Sequence, residues 1–247
     1  MNVGFKTDKG IQRSNNEDAF FVMERDHVYL VADGVGGSKS GEIASRTAVT
    51  EVVRHIEAKS PETLQSDEEI RAYLEQCVQD ANDKVLELSE RFTENNGMAT
   101  TLLVAYLRGN ILYFSNVGDS RGYVCRKDTL VQITEDHTYV NQLLKEGHIT
   151  REQAKNHENK NMITRAVGAE ERVDVDLFKI EVRAGDRILL CTDGLYGEVE
   201  EGEMERIMAK HLSMTETCRE LVRKANQNGG GDNITVVCVE ITEEDIL

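Results

Sequence analysis

The chain has no tryptophan, a single proline and only 5% aromatic residues among its 247. Proteins that grip bases stack them on aromatic side chains, so this scarcity counts against a metal nuclease or nucleotidase. Cationic residues are also in deficit: 29 Lys and Arg stand against 45 Asp and Glu, a formal net charge of -16. A phosphate backbone demands Lys and Arg clustered on one face, so nucleic acid is discarded as a partner. No apolar run approaches a membrane span, and residues 1–8 show no basic stretch followed by an apolar segment. A cytoplasmic protein with no membrane partner is the expectation. The five cysteines, Cys77, Cys125, Cys191, Cys218 and Cys238, are odd in number and form no C-x-x-C pair. That fits a reducing compartment and packing roles. The six histidines form no H-E-x-x-H or other close ligand pair. With no linker, repeat or low-complexity tract to divide it, the chain reads as one domain over 1–247.

What is present is a set of well-placed acids. Asn16-Glu17-Asp18, Asp33-Gly34, Gly118-Asp119, Asp193-Gly194 and Gly231-Asp232-Asn233 lie far apart, each presenting a carboxylate at a turn. An isolated Asp-Gly is most often a turn and nothing more. The flanking sequence argues for more here. Residues 28–32 run into Asp33, 187–192 into Asp193 and 111–117 into Gly118-Asp119, while Asp232-Asn233 precedes the apolar run 234–239. These read as buried strands with an acid at one end, a placement that holds a carboxylate rigidly. Hard divalent cations take oxygen ligands, and a two-ion centre needs several carboxylates plus open positions for water and substrate. A Gly after the Asp leaves the main chain uncrowded, so that a carbonyl beside the carboxylate also reaches an ion. The motifs are therefore read as one metal site, and the remaining acidity as a solvated surface.

Helical periodicity fills the intervals. Ala44, Ala48, Val49, Val52, Val53 and Ile56 mark one face of a helix over 41–59. After Pro61, the series Ile70, Leu74, Cys77, Val78, Ala81, Val85, Leu88 and Phe92 predicts a long helix covering a sheet. Residues 140–146, 203–210 and 216–228 read as further helices, the last stopped by Gly229-Gly230-Gly231. Periodicity alone gives mixed α and β content.

The same residues resemble a known family, the metal-dependent PPM (type 2C) serine/threonine protein phosphatases in their bacterial form. The resemblance covers nearly the whole chain, through Arg13-Ser14-Asn15-Asn16-Glu17-Asp18, Ala32-Asp33-Gly34-Val35-Gly36-Gly37, Met98-Ala99-Thr100-Thr101, Val117-Gly118-Asp119-Ser120-Arg121, Asp136-His137-Thr138, Ile163-Thr164-Arg165-Ala166-Val167-Gly168, Cys191-Thr192-Asp193-Gly194-Leu195 and 229–237. It implies an α/β (α+β) fold, a four-layer αββα sandwich of two mainly antiparallel sheets flanked by helix pairs. It also implies hydrolysis of phosphoserine and phosphothreonine on proteins by a metal-activated water, without a phosphoenzyme. By residue, the resemblance gives Asp33 as the ligand bridging two Mn²⁺ or Mg²⁺ ions, the Gly34 carbonyl on one ion, and Asp193 and Asp232 on the other. Glu17 and Asp18 are expected to hold metal-bound waters. Asp119 with Asp193 is expected to bind a third, weaker ion. Arg13, whose planar fork matches two phosphate oxygens, is expected to clamp the substrate phosphate. Arg121 and Arg165 are read as structural ion-pair partners and His137 as structural. The charged stretch 145–161 is expected to form a flap subdomain beside the site. Expected partners are phosphorylated proteins, among them a serine/threonine protein kinase and its substrates, approached by a monomer.

A cysteine-based phosphatase is excluded, because the residues six positions after the five cysteines are Asp83, Val131, Gly197, Lys224 and Glu244, none of them Arg. One departure from the family matters. Members carry His after the Asp-Gly or after the Gly-Gly, and this chain has Val35 and Ser38 there. The missing acid leaves open a catalytically impaired, phosphoprotein-binding regulator, although such a module has no physical need to keep every carboxylate. General acid catalysis contributes on the order of 10²- to 10⁴-fold for a poor leaving group. Ser38→His should therefore raise phosphothreonine hydrolysis relative to that of p-nitrophenyl phosphate, whose leaving group needs no proton. An unchanged ratio of the two rates would dismiss the idea.

Overall fold

The computed structural model describes residues 1–36, 40–210 and 212–246, and of Glu94 only the main chain. Ser38, where the family's histidine is missing, and His211 lie outside the described residues.

Several strands are apolar on both faces and so must be covered on both. In β3 (Val28–Val35), Val28, Leu30 and Ala32 pack with Ala44, Ala48 and Val52 of α1 (Ser40–Ala58) and Leu74, Val78 and Val85 of α2 (Asp67–Arg91). The alternate residues Tyr29 and Val31 join a second apolar layer with Leu103, Leu112 and Phe114, and with Ile188, Leu190, Val237 and Val239. The remaining strands are β1 (Asn2–Asp8), β2 (Asp18–Met23), β4 (Ala99–Thr100), β5 (Leu102–Arg108), β6 (Ile111–Val117), β7 (Arg121–Arg126), β8 (Thr129–Gln132), β9 (Asp176–Glu181), β10 (Arg187–Cys191) and β11 (Ile234–Glu240). On the far side, Leu189, Val236 and Cys238 pack with Met204 of α6 (Glu201–Met208) and Leu221 and Ala225 of α7 (Met214–Asn228). The period of two along each strand thus yields helices, sheet, sheet, helices.

One sheet runs β1-β11-β10-β7-β8 and the other β2-β3-β5-β6-β9 with β4 on β3. The pairings within both are antiparallel. This is the αββα sandwich expected. Helix starts are well capped: Ser66 accepts from the Glu69 amide ahead of three acids, and Ser213 with Glu216 makes a reciprocal cap on α7. The stretch 145–161 follows α3 (Tyr139–Lys145) and contains a short helix, α4 (Arg151–Lys155), closed by a Thr150–Gln153 cap over buried Ala154. All five cysteines are buried and free. Among the described residues no helix is long and apolar enough to cross a membrane.

Asn82, fully buried on α2, ties that helix to the 168–171 loop: its Nδ2 donates to the Glu170 carbonyl at 2.9 Å and its Oδ1 accepts from the Gly168 amide at 2.8 Å. Asn82→Ala takes the partner from the buried Gly168 amide and frees the 168–171 loop at the Glu170 carbonyl, a loss of about 2 kcal/mol. A urea midpoint indistinguishable from that of the parent protein would contradict this.

Candidate active site

Asp18 opens β2 and pairs directly with Asp33 of β3, so two carboxylates stand side by side at one end of a sheet. Contrary to the turn reading, Asp33 lies inside its strand, held by the short β4. The Asp33 amide donates to Thr101 Oγ1 at 2.8 Å, and its carbonyl accepts from the Thr101 amide at 2.9 Å and Thr100 Oγ1 at 2.8 Å. Only the carboxylate is left to act. Asp18 reaches the other sheet: its Oδ2 accepts from Thr192 Oγ1 at 2.9 Å, and Thr192 Oγ1 accepts from the Thr235 amide at 3.0 Å. Gly34 and Gly41 approach so closely that a Cβ on Gly34 would overlap the Gly41 carbonyl. A Cβ on Gly41 would fill the space bordered by the Gly34 carbonyl and the Glu17 carboxylate.

Asp193 begins the short helix α5 (Asp193–Tyr196), and its carboxyl lies close to that of Asp33. Asp232 follows the glycine loop after α7. Its Oδ1 accepts from the Asn233 amide at 2.8 Å, and its Oδ2 takes Arg13 Nη2 at 2.6 Å, while Arg13 Nε donates to the Gly231 carbonyl at 3.3 Å. The expected phosphate clamp and an expected metal ligand are therefore paired with each other. Two residues without a role in the sequence reading hold this loop. Asn233 accepts from the Glu17 amide at 2.7 Å and donates to the carbonyls of Lys9 at 2.9 Å and Asn15 at 2.8 Å, binding the N-terminal loop to the β11 entrance. Glu198 accepts from the Gly231 amide at 3.0 Å, and its carbonyl accepts from Asn228 Nδ2 at 2.8 Å. Asn233 stood inside a quoted block; nothing in the sequence marks Glu198.

Asp119 is buried beside these acids. The Tyr196 hydroxyl donates to its carbonyl at 2.9 Å and its Oδ2 at 3.2 Å, and the Arg121 guanidinium lies 3.5 Å over the Tyr196 ring while gripping Asp136 with two nitrogens. His137 Nδ1 accepts from the Gly118 amide at 3.0 Å, so Nε2 carries the proton and faces Asp176 at 3.2 Å, which Arg165 also engages at 2.7 Å. Arg121, Arg165 and His137 are structural, as read from the sequence.

Burial dominates the electrostatics. It pushes Asp18 up to about 7, assisted by Asp232 and Glu17 against the opposing hydrogen bonds from Thr235 and Thr192. Asp119 is pushed up to about 7, by burial and then by Asp193 and Asp136. Asp193 rises to about 6 by burial and then by Asp232, and Asp33 rises well above its usual range by burial and then by Asp18, Asp193, Asp119 and Asp232. Oδ1 of Asp18 and Oδ1 of Asp193 are buried with no hydrogen-bond partner among the described residues. Crowded acids, two orphaned oxygens and a Gly34 carbonyl that no side chain on Gly41 covers fit hard divalent cations. Among the described residues no three acid, histidine or cysteine side chains close on one point by themselves, so an ion here needs main-chain and water oxygens as well.

Comparison with known proteins agrees with this geometry. Residues 10–229 match the protein phosphatase 2C family. The serine/threonine phosphatase stp of Listeria innocua is 40% identical over 243 residues, 97% of this chain and 96% of that one. The crystal structure of the Mycobacterium tuberculosis serine/threonine phosphatase PstP/Ppp superposes with a TM-score of 0.88 at 34% identity, covering 98% of each chain. A PstP catalytic domain in complex with two manganese ions gives 0.85 at 33% identity, again over 98% of each. The fold and the carboxylate site define a phosphatase of the bacterial PPM class. The chain belongs to the protein phosphatase 2C family.

The raised acids set a pH dependence for the metal-free protein. Each has a folded pKa above the 3.8 of the free side chain, so the native state keeps protons that the unfolded chain has lost. Their contribution is fully present below about pH 4 and is lost as pH rises through about 6 to 7. His137, lowered by burial, acts in the opposite sense but is one group against several. In chelator the Tm should fall by at least about 4 °C from pH 5 to pH 8, the equivalent of 1–2 kcal/mol in a domain of this size. Mn²⁺ should raise Tm more at pH 8 than at pH 5, because ions and protons compete for the same oxygens. Thermal melts showing no fall in chelator, or equal Mn²⁺ shifts at both pH values, would contradict this.

Proposed function

We propose that this protein hydrolyses phosphoserine and phosphothreonine on proteins at the carboxylate site, using two Mn²⁺ or Mg²⁺ ions held by Asp33, the Gly34 carbonyl, Asp193 and Asp232. The observation that carries the reading is the crowding of four mutually repelling acids, Asp18 and Asp119 buried and Asp33 and Asp193 partly so, two of whose oxygens have no hydrogen-bond partner among the described residues. When bound, the cations polarise the phosphoryl group and make water acidic enough to attack it near neutral pH. Glu17 and Asp18 orient water beside the ligands, and Asp119 with Asp193 offers a weaker third site. Arg13, half exposed and held only by Asp232 and a carbonyl, turns to take two phosphate oxygens.

Nucleophilic catalysis by the chain itself has no support. Burial pushes the Cys77 thiol up to about 12 and raises Cys125 and Cys191 as well, while the neighbouring Cys218 thiol and then burial raise Cys238. His137 is occupied by the Gly118 amide and Asp176, so it is not the acid that protonates the leaving group. On this reading the stretch 145–161 is the flap by which protein substrates are selected. A monomer in the cytoplasm, acting on a serine/threonine kinase and the kinase's substrates, completes the reading.

Phosphate release from a phosphothreonine peptide tests it, with Mn²⁺, with chelator, and with Asp33→Asn. Both treatments should reduce turnover by more than the about 10- to 100-fold that outer-shell changes cost. No turnover by the parent protein while it still binds Mn²⁺ would instead favour the phosphoprotein-binding regulator.

A further inference from the structure

An open groove of about 460 Å³ lies between β1 and the C-terminal half of α7, lined by Lys6 and Asp8 of the strand, Ile11 of the following loop, and Arg219, Val222 and Arg223 of the helix. Its charge is opposite to that of the protein. In a chain with a net charge of -16, three of the lining side chains are cationic and one is acidic. The acid is engaged internally: Asp8 Oδ1 accepts from the Gly10 amide at 3.0 Å and from Asn226 Nδ2 at 3.3 Å. Neither Lys6 nor Arg219 has a carboxylate within salt-bridge distance among the described residues, and Arg223 reaches Glu220 only at 3.8 Å. Ile11 is 67% exposed at the groove's end. Its amide is fixed to the Gly230 carbonyl at 2.9 Å, which joins the groove to the loop carrying Asp232. Arg13 is two residues further on, within about 7 Å along the main chain.

We propose that this groove seats acidic residues flanking the phosphoresidue of a protein substrate, with an apolar neighbour against Ile11, so that the enzyme selects phosphoserine or phosphothreonine close to Asp or Glu. The proposal rests on the phosphatase reading above. Charge complementarity argues for this occupant. An acidic segment approaching so acidic a protein is repelled except where cations gather, as they do along this groove, whose Ile11 end leads to the phosphate clamp. Each residue of extended chain spans about 3.3 Å. Ile11 is two residues from Arg13 and Lys6 five residues further back, so the apolar end of the groove meets the substrate about two positions from the phosphoresidue and its cations several positions beyond. The contribution belongs to substrate binding and its salt dependence, because these cations touch no reacting atom.

The test uses phosphothreonine peptides that differ only in their flanks, rich in Asp, Ala or Lys, with the parent protein and with the double variant Arg219→Glu, Arg223→Glu. Both arginines are exposed on α7, and hydrolysis of p-nitrophenyl phosphate, which has no flanks, should be unchanged in the variant. The parent should favour the acidic over the neutral peptide by on the order of tenfold in kcat/KM, mainly through KM, with the gap closing as salt is raised. The variant should lose or reverse that preference. Equal kcat/KM for all three peptides in the parent, or an acidic preference surviving in the variant, would overturn the proposal. Fluorescence anisotropy of the labelled acidic peptide in its unphosphorylated form, with Mn²⁺ present, supplies a second readout that needs no turnover. Weaker binding to the variant supports the groove, and equal binding overturns it. Failure to hydrolyse any substrate, p-nitrophenyl phosphate included, would sink the phosphatase reading while anisotropy still decides the groove.

Discussion

Crowding of like charge where the two sheets meet is the constraint on which the rest of this structure depends. Asp18 and Asp33 are direct cross-strand neighbours, the arrangement that most destabilises a pair of like charges, and burial deepens the cost. Asp193 and Asp119 arrive from the other sheet and its connections and add to the repulsion. Such a site persists only because it is fixed from outside. Three separate apolar layers, two between sheet and helices and one between sheets, provide the stability that the junction lacks.

The fixing is done almost wholly by neutral groups. Thr101 and Thr100 hold the Asp33 main chain, Thr192 holds Asp18, Asn233 joins the N-terminal loop to the entrance of β11, and Tyr196 caps Asp119. Hydroxyls and amides aim a carboxylate without neutralising it. A Lys in any of these places would lower the repulsion by supplying the charge that a divalent ion is to supply. The nearby arginine Arg121 obeys the same logic, since its charge is spent on Asp136 and the face of Tyr196 rather than on the acids of the centre.

Much of this was legible in the sequence because strand and helix periods are local properties. The apolar runs 28–32 and 187–192 mark buried strands, and the stripe from Ile70 to Phe92 marks the long helix, which ends at Arg91. The acids were legible because each ends or begins such a run. What sequence could not supply depends on residues meeting from afar. The two-residue β4 is too short to show a period, so Asp33 read as a turn although it sits within a sheet. Helix α4, five residues long, was hidden in a stretch whose composition is merely charged. Glu198 matters through one carboxylate that meets a glycine loop more than thirty residues later. The groove's cations come from opposite ends of the chain, at Lys6 and at Arg219 and Arg223.

The position of Arg13 follows from the same balance of charge. Among the acids assigned to the metal centre, Asp232 is the one reached by a guanidinium, and it is partly exposed whereas Asp18 and Asp119 are buried. With Oδ1 bonded to the Asn233 amide and Oδ2 to Arg13, this carboxylate is already neutralised from the solvent side. On the proposed assignment, a cation and Arg13 compete for Asp232, and a phosphate competes with Asp232 for Arg13. Loading the centre and binding the anionic substrate are then linked and mutually favourable, because each frees the other's partner. A phosphate approaching the cation-free site meets only repelling carboxylates and an arginine already engaged. The ion pair therefore acts as a placeholder, keeping the clamp beside the centre and giving it up only when both charges that replace it are present.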